Sequence, residues 1–325
     1  MKAFVVEKNH NEEIISGVKD IPKPICNENE ILIQVEYSSL NYKDALSSIG
    51  HSGVTKNFPH TTGVDVAGVI VESKSPIFKL GQKVVVTGYD LGMNTNGGHA
   101  EFVKVPSSWA IRTPDAISNK DIMIYGTAGL TAALSINELL NNDLEEHSNI
   151  LVTGSTGGVG SITVAILSKL GFKVSALTTK KDKESFLKSI GSSEVIFLED
   201  FMQNSQKPML RERFDAVIDT VGGDILAQAI KQVKYDGVVT CCGLTSSYEL
   251  NTNVYPFILR GIRLIGIDSV ECKIDKKQKA WEKLAGKWKI DCLDTITKEI
   301  NLNEIKEAYE KLLNGKATGR YLVKL

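Results

Sequence analysis

No stretch of this 325-residue chain approaches 18 uncharged apolar residues, so the sequence holds nothing long enough to span a bilayer as a helix. An excess of either charge is also missing: 38 Lys and Arg stand against 39 Asp and Glu, a formal net charge of -1. That balance argues against nucleic acid or an anionic membrane as the main partner. The five cysteines, Cys26, Cys241, Cys242, Cys272 and Cys292, are scattered and contain no Cys-x-x-Cys pair. They make no disulfide framework and suit a reducing, cytoplasmic setting. There is no internal repeat and no low-complexity tract. The opening MKAFVVEKNHNEE has an apolar run too short for a secretory leader and reads as a first or edge strand. These absences leave an ordinary enzyme of about two domains with ample core.

The first third carries short β-type runs, AFVV, EILIQVEYSSL, VDVAGVIVES and QKVVVTGY, separated by Pro, Gly and Asn. They indicate an antiparallel or barrel-like domain. From about Ile122 the texture changes. IMIYGTAGLTAALSINELL has apolar residues at helical spacing, with Thr127 as the expected N-cap. NILVTG, FKVSALT, EVIFLE, FDAVIDTVG, GVVTCCG and IRLIGID then alternate with helical segments, the mark of βαβ units and a doubly wound parallel sheet. The tail ends on RYLVKL, which is expected to return to the first domain's sheet.

Chemistry enters at Ile150 to Lys181, ILVTGSTGGVGSITVAILSKLGFKVSALTTKK, a strand, glycine turn, helix and strand. Two dinucleotide fingerprints fit the turn at once. Thr153-Gly154-x-x-x-Gly158-x-Gly160 suits short-chain reductases, while Gly157 and Gly160 suit the last two glycines of G-x-G-x-x-G, with Ser155 at the first. In both, backbone N–H groups at a helix N-terminus face a bound anion, and a side chain at Gly157, Gly158 or Gly160 would block a pyrophosphate. Thr156 and Val159 complete the expected contact set. The next strand's end selects the nicotinamide. NAD enzymes usually place an acid there to bind the ribose hydroxyls. This chain has Thr178, Thr179, Lys180 and Lys181, with no acid before Asp182. Hydroxyls and ammonium groups suit a 2′-phosphate, so NADPH is the expected cofactor; a solvated lysine-rich face is the competing reading.

The short-chain pattern requires Tyr-x-x-x-Lys downstream. None of Tyr235, Tyr248, Tyr255, Tyr309 and Tyr321 has lysine four residues on, and about 150 residues precede the turn. The chain instead resembles the medium-chain dehydrogenase/reductase superfamily over nearly its whole length. The landmarks are GVDVAGVI, GGHAEFVKVP, GTAGLTAAL and GSTGGVGSITVAI. Where zinc-dependent members carry Cys and Gly-His-Glu, this chain has Asn41 and Gly63-Val64-Asp65; valine cannot ligate a metal, so no metal site is expected. SSLNYKDAL, VTGYDLGMNTNGGHAE, FDAVIDTVGG and PFILRGIRLIGIDSV are similar to a zinc-free group, the quinone-oxidoreductase-like proteins that include NADPH-dependent acryloyl-CoA reductase.

The resemblance implies an α/β fold in two parts: a discontinuous GroES-like β-barrel catalytic domain, residues 1–123 and 272–325, and a Rossmann NADP-binding domain, residues 124–271. It places Tyr42 beside the nicotinamide, as catalytic group and cofactor contact; a half-buried loop aromatic is the alternative. Asn41 stands as an amide donor and Asp44 as a partner ordering the loop. Asp65 is read as an active-site carboxylate or a loop cap, and His99 as a structural hydrogen bonder. Gly243, Leu244, Ile258 and Ser269 are expected to line the nicotinamide side. Asn314, Gly319 and Arg320 are offered as further cofactor contacts. Arg320 stays open between cofactor, the phosphates of a CoA and a surface salt bridge. Cys241 and Cys242 are expected to be small apolar packing. The implied activity is NADPH-dependent reduction of an activated C=C bond, acryloyl-CoA first, with quinone reduction and non-catalytic NADPH binding as alternatives. The substrate is a small molecule, an enoyl thioester or quinone. An exposed IRLIGI edge strand is expected to build a homodimer.

Overall fold

Short apolar runs broken by polar turns build the first sheets of the computed structural model, which describes residues 1–142 and 144–325. The strands are β1 (Lys2–Lys8), β2 (Ile14–Asp20), β3 (Glu30–Ser39), β4 (His60–Thr61), β5 (Asp65–Ser73), β6 (Lys83–Thr87), β7 (Phe102–Pro106) and β8 (Ile111–Arg112), with helix α1 (Tyr42–Ser48) between β3 and β4. β2, β1 and β4 form a small sheet, while β3, β5, β6 and β8 run side by side, with β7 also paired to β3. All these pairings are antiparallel. Ile31, Ile33 and Val35 alternate along β3 and meet Val66, Ile70, Val84, Val86 and Val103 in one core. Helix α2 (Asn119–Leu140) is broken at Gly126, whose φ of 49° and ψ of -154° are not helical.

The second half holds β9 (Asn149–Val152), α3 (Gly158–Lys169), β10 (Lys173–Thr178), α4 (Glu184–Ser189), β11 (Glu194–Phe197), α5 (Leu198–Phe201), β12 (Phe214–Asp219), α6 (Gly223–Ile230), β13 (Val233–Cys241), α7 (Tyr255–Arg260) and β14 (Arg263–Gly266). The six strands lie in the order β11-β10-β9-β12-β13-β14, and every pairing is parallel. Leu151, Leu177, Phe214, Val217, Leu226, Ile230 and Val239 form its core. A parallel sheet covered on both faces needs strands that are apolar throughout, which is why these segments read as nearly unbroken apolar runs. The order reverses between β9 and β12. Ligands of such sheets bind at the carboxyl ends of the strands flanking that switch.

The chain closes with α8 (Ile274–Ala285), β15 (Thr297–Ile300), α9 (Ile305–Leu313) and β16 (Arg320–Lys324). β16 pairs with β3, Leu322 opposite Ser39, so RYLVKL does return to the first sheet. On α8 the positions i, i+3, i+4 and i+7 that face inward are Lys277, Ala280, Trp281 and Leu284. Lys277 is buried, donates to the Thr87 carbonyl at 2.7 Å and the Val270 carbonyl at 2.9 Å, and sits 3.5 Å above the Tyr89 ring. Tyr89 in turn stacks on Trp109, with centroids 5.2 Å apart. By their internal packing the residues divide into two units: Met1–Ala128, Val270–Gly286 and Ile296–Leu325, and Gly129–Ser269 with Lys287–Thr295.

Buried titratable groups of the first unit set its response to acid. His99 is fully buried; Thr62 Oγ1 and the Tyr309 hydroxyl each lie 2.9 Å from its Nδ1, which fits a neutral ring with structural partners. Burial pushes it down to about 3, and pushes His60, held by Ser47 Oγ at 2.6 Å, down to about 4. The unfolded chain takes up these protons near 6.5 and the folded one resists, so their contribution is full above that pH and is lost as pH falls towards 4 and 3. Asp44 works the other way: burial and the neighbouring Asp65 raise it to about 7, so its contribution is lost as pH rises from 3.8 through 7. Two histidines oppose one carboxyl. The urea midpoint is therefore expected to fall between pH 6.5 and 4, and a His60→Gln variant should show a shallower fall. A midpoint flat across that window would contradict the assignment.

Candidate active site

In the second unit the site grows from the turn between β9 and α3. Gly154 turns the chain at a φ of 57°, and Ser155 folds it back, its Oγ donating to the Val152 carbonyl at 2.6 Å. Gly157 is the N-cap of α3 and no side chain caps this end. The first-turn N–H groups of a helix have no partner inside it, so Gly158, Val159 and Gly160 present theirs outward, with the positive helix end behind them. At Gly160 a Cβ would lie 2.3 Å from the Gly154 carbonyl oxygen and 2.7 Å from Ser155 Cα. The close approach of turn and helix that makes the cradle exists because that side chain is missing. An uncapped end of this kind fits a pyrophosphate.

Behind the cradle a buried network stitches strand ends together. Thr153 Oγ1 donates to Asp219 Oδ1 at 2.7 Å and accepts the Thr220 N–H at 2.9 Å. The Gly222 N–H donates to Asp219 Oδ2 at 2.8 Å. Burial raises the Asp219 carboxyl above its ordinary value. Gly243, past the end of β13, packs so close that a Cβ would fall 1.8 Å from the Thr220 carbonyl oxygen. Sequence reading missed Asp219, Thr153 and Thr220 as organisers. Their signal was an acid and a hydroxyl at the carboxyl ends of two strands that flank the switch in strand order.

The expected nicotinamide-selecting residues follow β10. Thr178 is buried and its Oγ1 accepts the Lys180 N–H at 3.0 Å. Thr179 is exposed, and Lys180 is half-buried. Burial, then Lys183, pull the Lys180 ammonium below its ordinary value. Lys181 pairs with Glu199 and Lys183 with Asp182, each at 2.9 Å. Leu244 and Ile258 are 59% and 68% exposed, and a shallow depression at the ends of β13 and β14 is lined by Cys241, Cys242, Gly243, Leu244 and Gly266. Ser269 is buried and accepts from Thr131 Oγ1 at 2.8 Å. Cys241 packs on the core as expected. Cys242 differs: its thiol, pushed up to about 12 chiefly by burial, donates to the Asp219 carbonyl at 3.3 Å.

In the first unit Asp65 is a hub. It is fully buried and accepts from Ser39 Oγ at 2.6 Å, Asn41 Nδ2 at 2.7 Å, the Thr127 N–H at 2.9 Å and Thr127 Oγ1 at 2.5 Å. Asp65, from another strand, thus accepts both the hydroxyl and the N–H of Thr127, the residue that follows the Gly126 break. Asp44 orders the loop as expected, accepting the N–H groups of Asn41, Gly63 and Val64 at 2.8, 3.1 and 2.9 Å. Tyr42, half-buried, opens α1 beside these groups. Arg320 is 3% exposed, which overturns the surface salt bridge: its Nε donates to the Ile124 carbonyl at 2.9 Å, Nη1 to Leu40 O at 3.0 Å and Nη2 to Ser39 Oγ at 2.7 Å. Asn314 is exposed and donates to the Glu310 carbonyl at 2.8 Å at the end of α9.

Residues 27–115 match the family model of the alcohol dehydrogenase GroES-like domain, and residues 158–286 match that of zinc-binding dehydrogenases. Among the described residues no three His, Cys, Asp or Glu side chains gather as a group able to hold a metal ion. Over its whole length the chain is 40% identical to the putative quinone oxidoreductase YhfP of Bacillus subtilis, covering 98% of it. It is 36% identical to the probable acrylyl-CoA reductase AcuI of Escherichia coli, with both chains covered in full. The yhdH oxidoreductase of Salmonella enterica, solved in complex with NADP, matches with a TM-score of 0.95 at 34% identity, each chain covered in full. Bacillus subtilis yhfP, solved with NAD bound, matches at 0.95 and 40%, with 100% of this chain and 99% of that one covered.

Proposed function

The chain belongs to the medium-chain dehydrogenase/reductase family, and from that premise we propose that it is an NADPH-dependent reductase of activated C=C bonds, with acryloyl-CoA converted to propanoyl-CoA as its reaction. The observation that carries this reading is the uncapped start of α3, followed one strand later by Thr178, Thr179 and Lys180 with no acid at the ribose position. Full-length similarity to a probable acrylyl-CoA reductase supports the substrate class. Similarity to a putative quinone oxidoreductase keeps quinone reduction as the second reading.

The roles divide between the two units, whose functional boundaries are proposed at 123/124 and 271/272. Gly158 and Val159 hold the pyrophosphate through N–H groups, with Thr156 and the N-cap Gly157, whose own N–H donates to the Gly154 carbonyl at 2.9 Å, beside them. Thr179 and Lys180 hold the 2′-phosphate; Gly243, Leu244, Ile258 and Ser269 border the nicotinamide half. Bound NADPH supplies a hydride, which an enoyl thioester accepts at its β-carbon. The Tyr42 hydroxyl donates a hydrogen bond to the thioester oxygen, where negative charge gathers, before a proton reaches the α-carbon. A donor aimed at developing charge is worth about 3 kcal/mol of barrier. A homodimer joined at β14, the end strand of its sheet, and a cytoplasmic location complete the proposal. No helix among the described residues is long and apolar enough to cross a membrane.

Stopped-flow loss of NADPH absorbance tests the reaction: acryloyl-CoA should oxidise the cofactor faster than benzoquinone does. If neither oxidises it while NADPH binds, the enzyme reading fails. In the same assay Lys180→Ala should weaken NADPH about 10-fold, one charge-assisted contact, and leave NADH binding as it was.

A further inference from the structure

The turn that carries Tyr42 is gripped from two sides by buried carboxylates. Asp44 Oδ2 accepts the Asn41 backbone N–H, and Asp65 Oδ2 accepts the Asn41 side-chain amide. Arg320 completes the grip through the Leu40 carbonyl at 3.0 Å and Asn41 Oδ1 at 3.5 Å. The guanidinium and the Asp65 carboxylate stand 3.9 Å apart, too far for a direct hydrogen bond. Ser39 bridges them: its Oγ accepts from Arg320 Nη2 at 2.7 Å and donates to Asp65 Oδ2 at 2.6 Å. Gly126 leaves the space for this arrangement. A Cβ there would fall 2.5 Å from Asp65 Oδ2, 2.5 Å from Ser39 Oγ and 2.9 Å from Arg320 Nη2. Asp65 has four donors and no exposed surface. A carboxylate so satisfied is built to hold its neighbours still.

We propose that Asp65, Ser39 and Arg320 form a positioning cluster that sets the conformation of the Asn41–Tyr42 turn, and through it the placement of the Tyr42 hydroxyl, without touching substrate or cofactor. This rests on the reading of Tyr42 as the group that meets the substrate. Ser39 is the device's adjustable part. It relays between two charges, and its hydroxyl is removed by a substitution that changes little volume.

The test uses the full chain with 3-fluorotyrosine placed at position 42, whose fluorine resonance reports the ring's surroundings with no substrate present. In Ser39→Ala the resonance should shift and broaden, and kcat with acryloyl-CoA should fall about 10- to 100-fold. KM for NADPH should stay within about two-fold, a split that a general loss of structure would not give. Thr127→Val, which removes the hydroxyl that donates to Asp65 Oδ1, should act in the same direction more weakly. Placed in a Tyr42→Phe background, Ser39→Ala should cost no more than about two-fold further, because no hydroxyl remains to be placed. An unchanged fluorine signal in both variants, or losses that multiply in the double variant, overturns the proposal. If the wild-type enzyme fails to oxidise NADPH with any substrate, the reductase reading falls while the fluorine signal still decides the positioning role.

Discussion

Arg320→Met is expected to destabilise the first unit by about 3–5 kcal/mol, the cost of removing one partner of a buried ion pair. Methionine fills much of the volume and supplies no donor. The carbonyls of Ile124 and Leu40 then lose the N–H groups that reach them, and Asp65, fully buried, loses the cation 3.9 Å away. Arg320→Lys should recover part of the loss, because an ammonium restores charge but cannot serve Ile124, Leu40 and Ser39 from one planar fork. Urea titrations followed by circular dichroism measure both. A methionine variant with the wild-type midpoint would show that the cluster contributes nothing to stability.

Gly160→Ala is expected to weaken NADPH by at least about 100-fold, or about 2.7 kcal/mol. The added methyl would sit 2.3 Å from the Gly154 oxygen and 2.7 Å from Ser155 Cα. Both are backbone atoms, so no rotamer change relieves the clash. The first turn of α3 has to move away from the β9 turn, and its N–H groups move with it. Gly17→Ala is the control: nothing lies within 4 Å of the added carbon, and binding should stay at the wild-type level. Fluorescence titration with NADPH reads both variants, and an alanine at 160 that binds normally would remove the cradle from the cofactor site.

The parallel sheet was legible because its strands need no partner information: β9, β10, β12 and β13 are apolar runs, set off by glycine turns. The return of β16 was legible for the same reason. Several elements of the first unit were not read, β2 and α8 among them. β2 presents IISGVKD, half-buried along much of its length, with no clean alternation to betray it. α8 presents IDKKQKAWEKLA, a run dense in charge of which Lys277 is nonetheless buried. The glycine turn and the Thr-Thr-Lys end of β10 were legible because anion binding is local chemistry. Arg320 was left open because its acceptors lie far off in sequence, 196 residues away at Ile124 and 280 at Leu40. Asp65 was singled out, yet its role as the acceptor for Thr127 depends on a contact across 62 residues.

Lys277 makes the chain its own clock. An amine enclosed by two carbonyl oxygens and a tyrosine face is out of reach of acylating reagents while α8 is docked. It becomes nucleophilic towards them only when that helix lifts. In a pulse of acetic anhydride, exposed lysines record time spent in solution, whereas the mass increment at Lys277 records how often this part of the barrel opens.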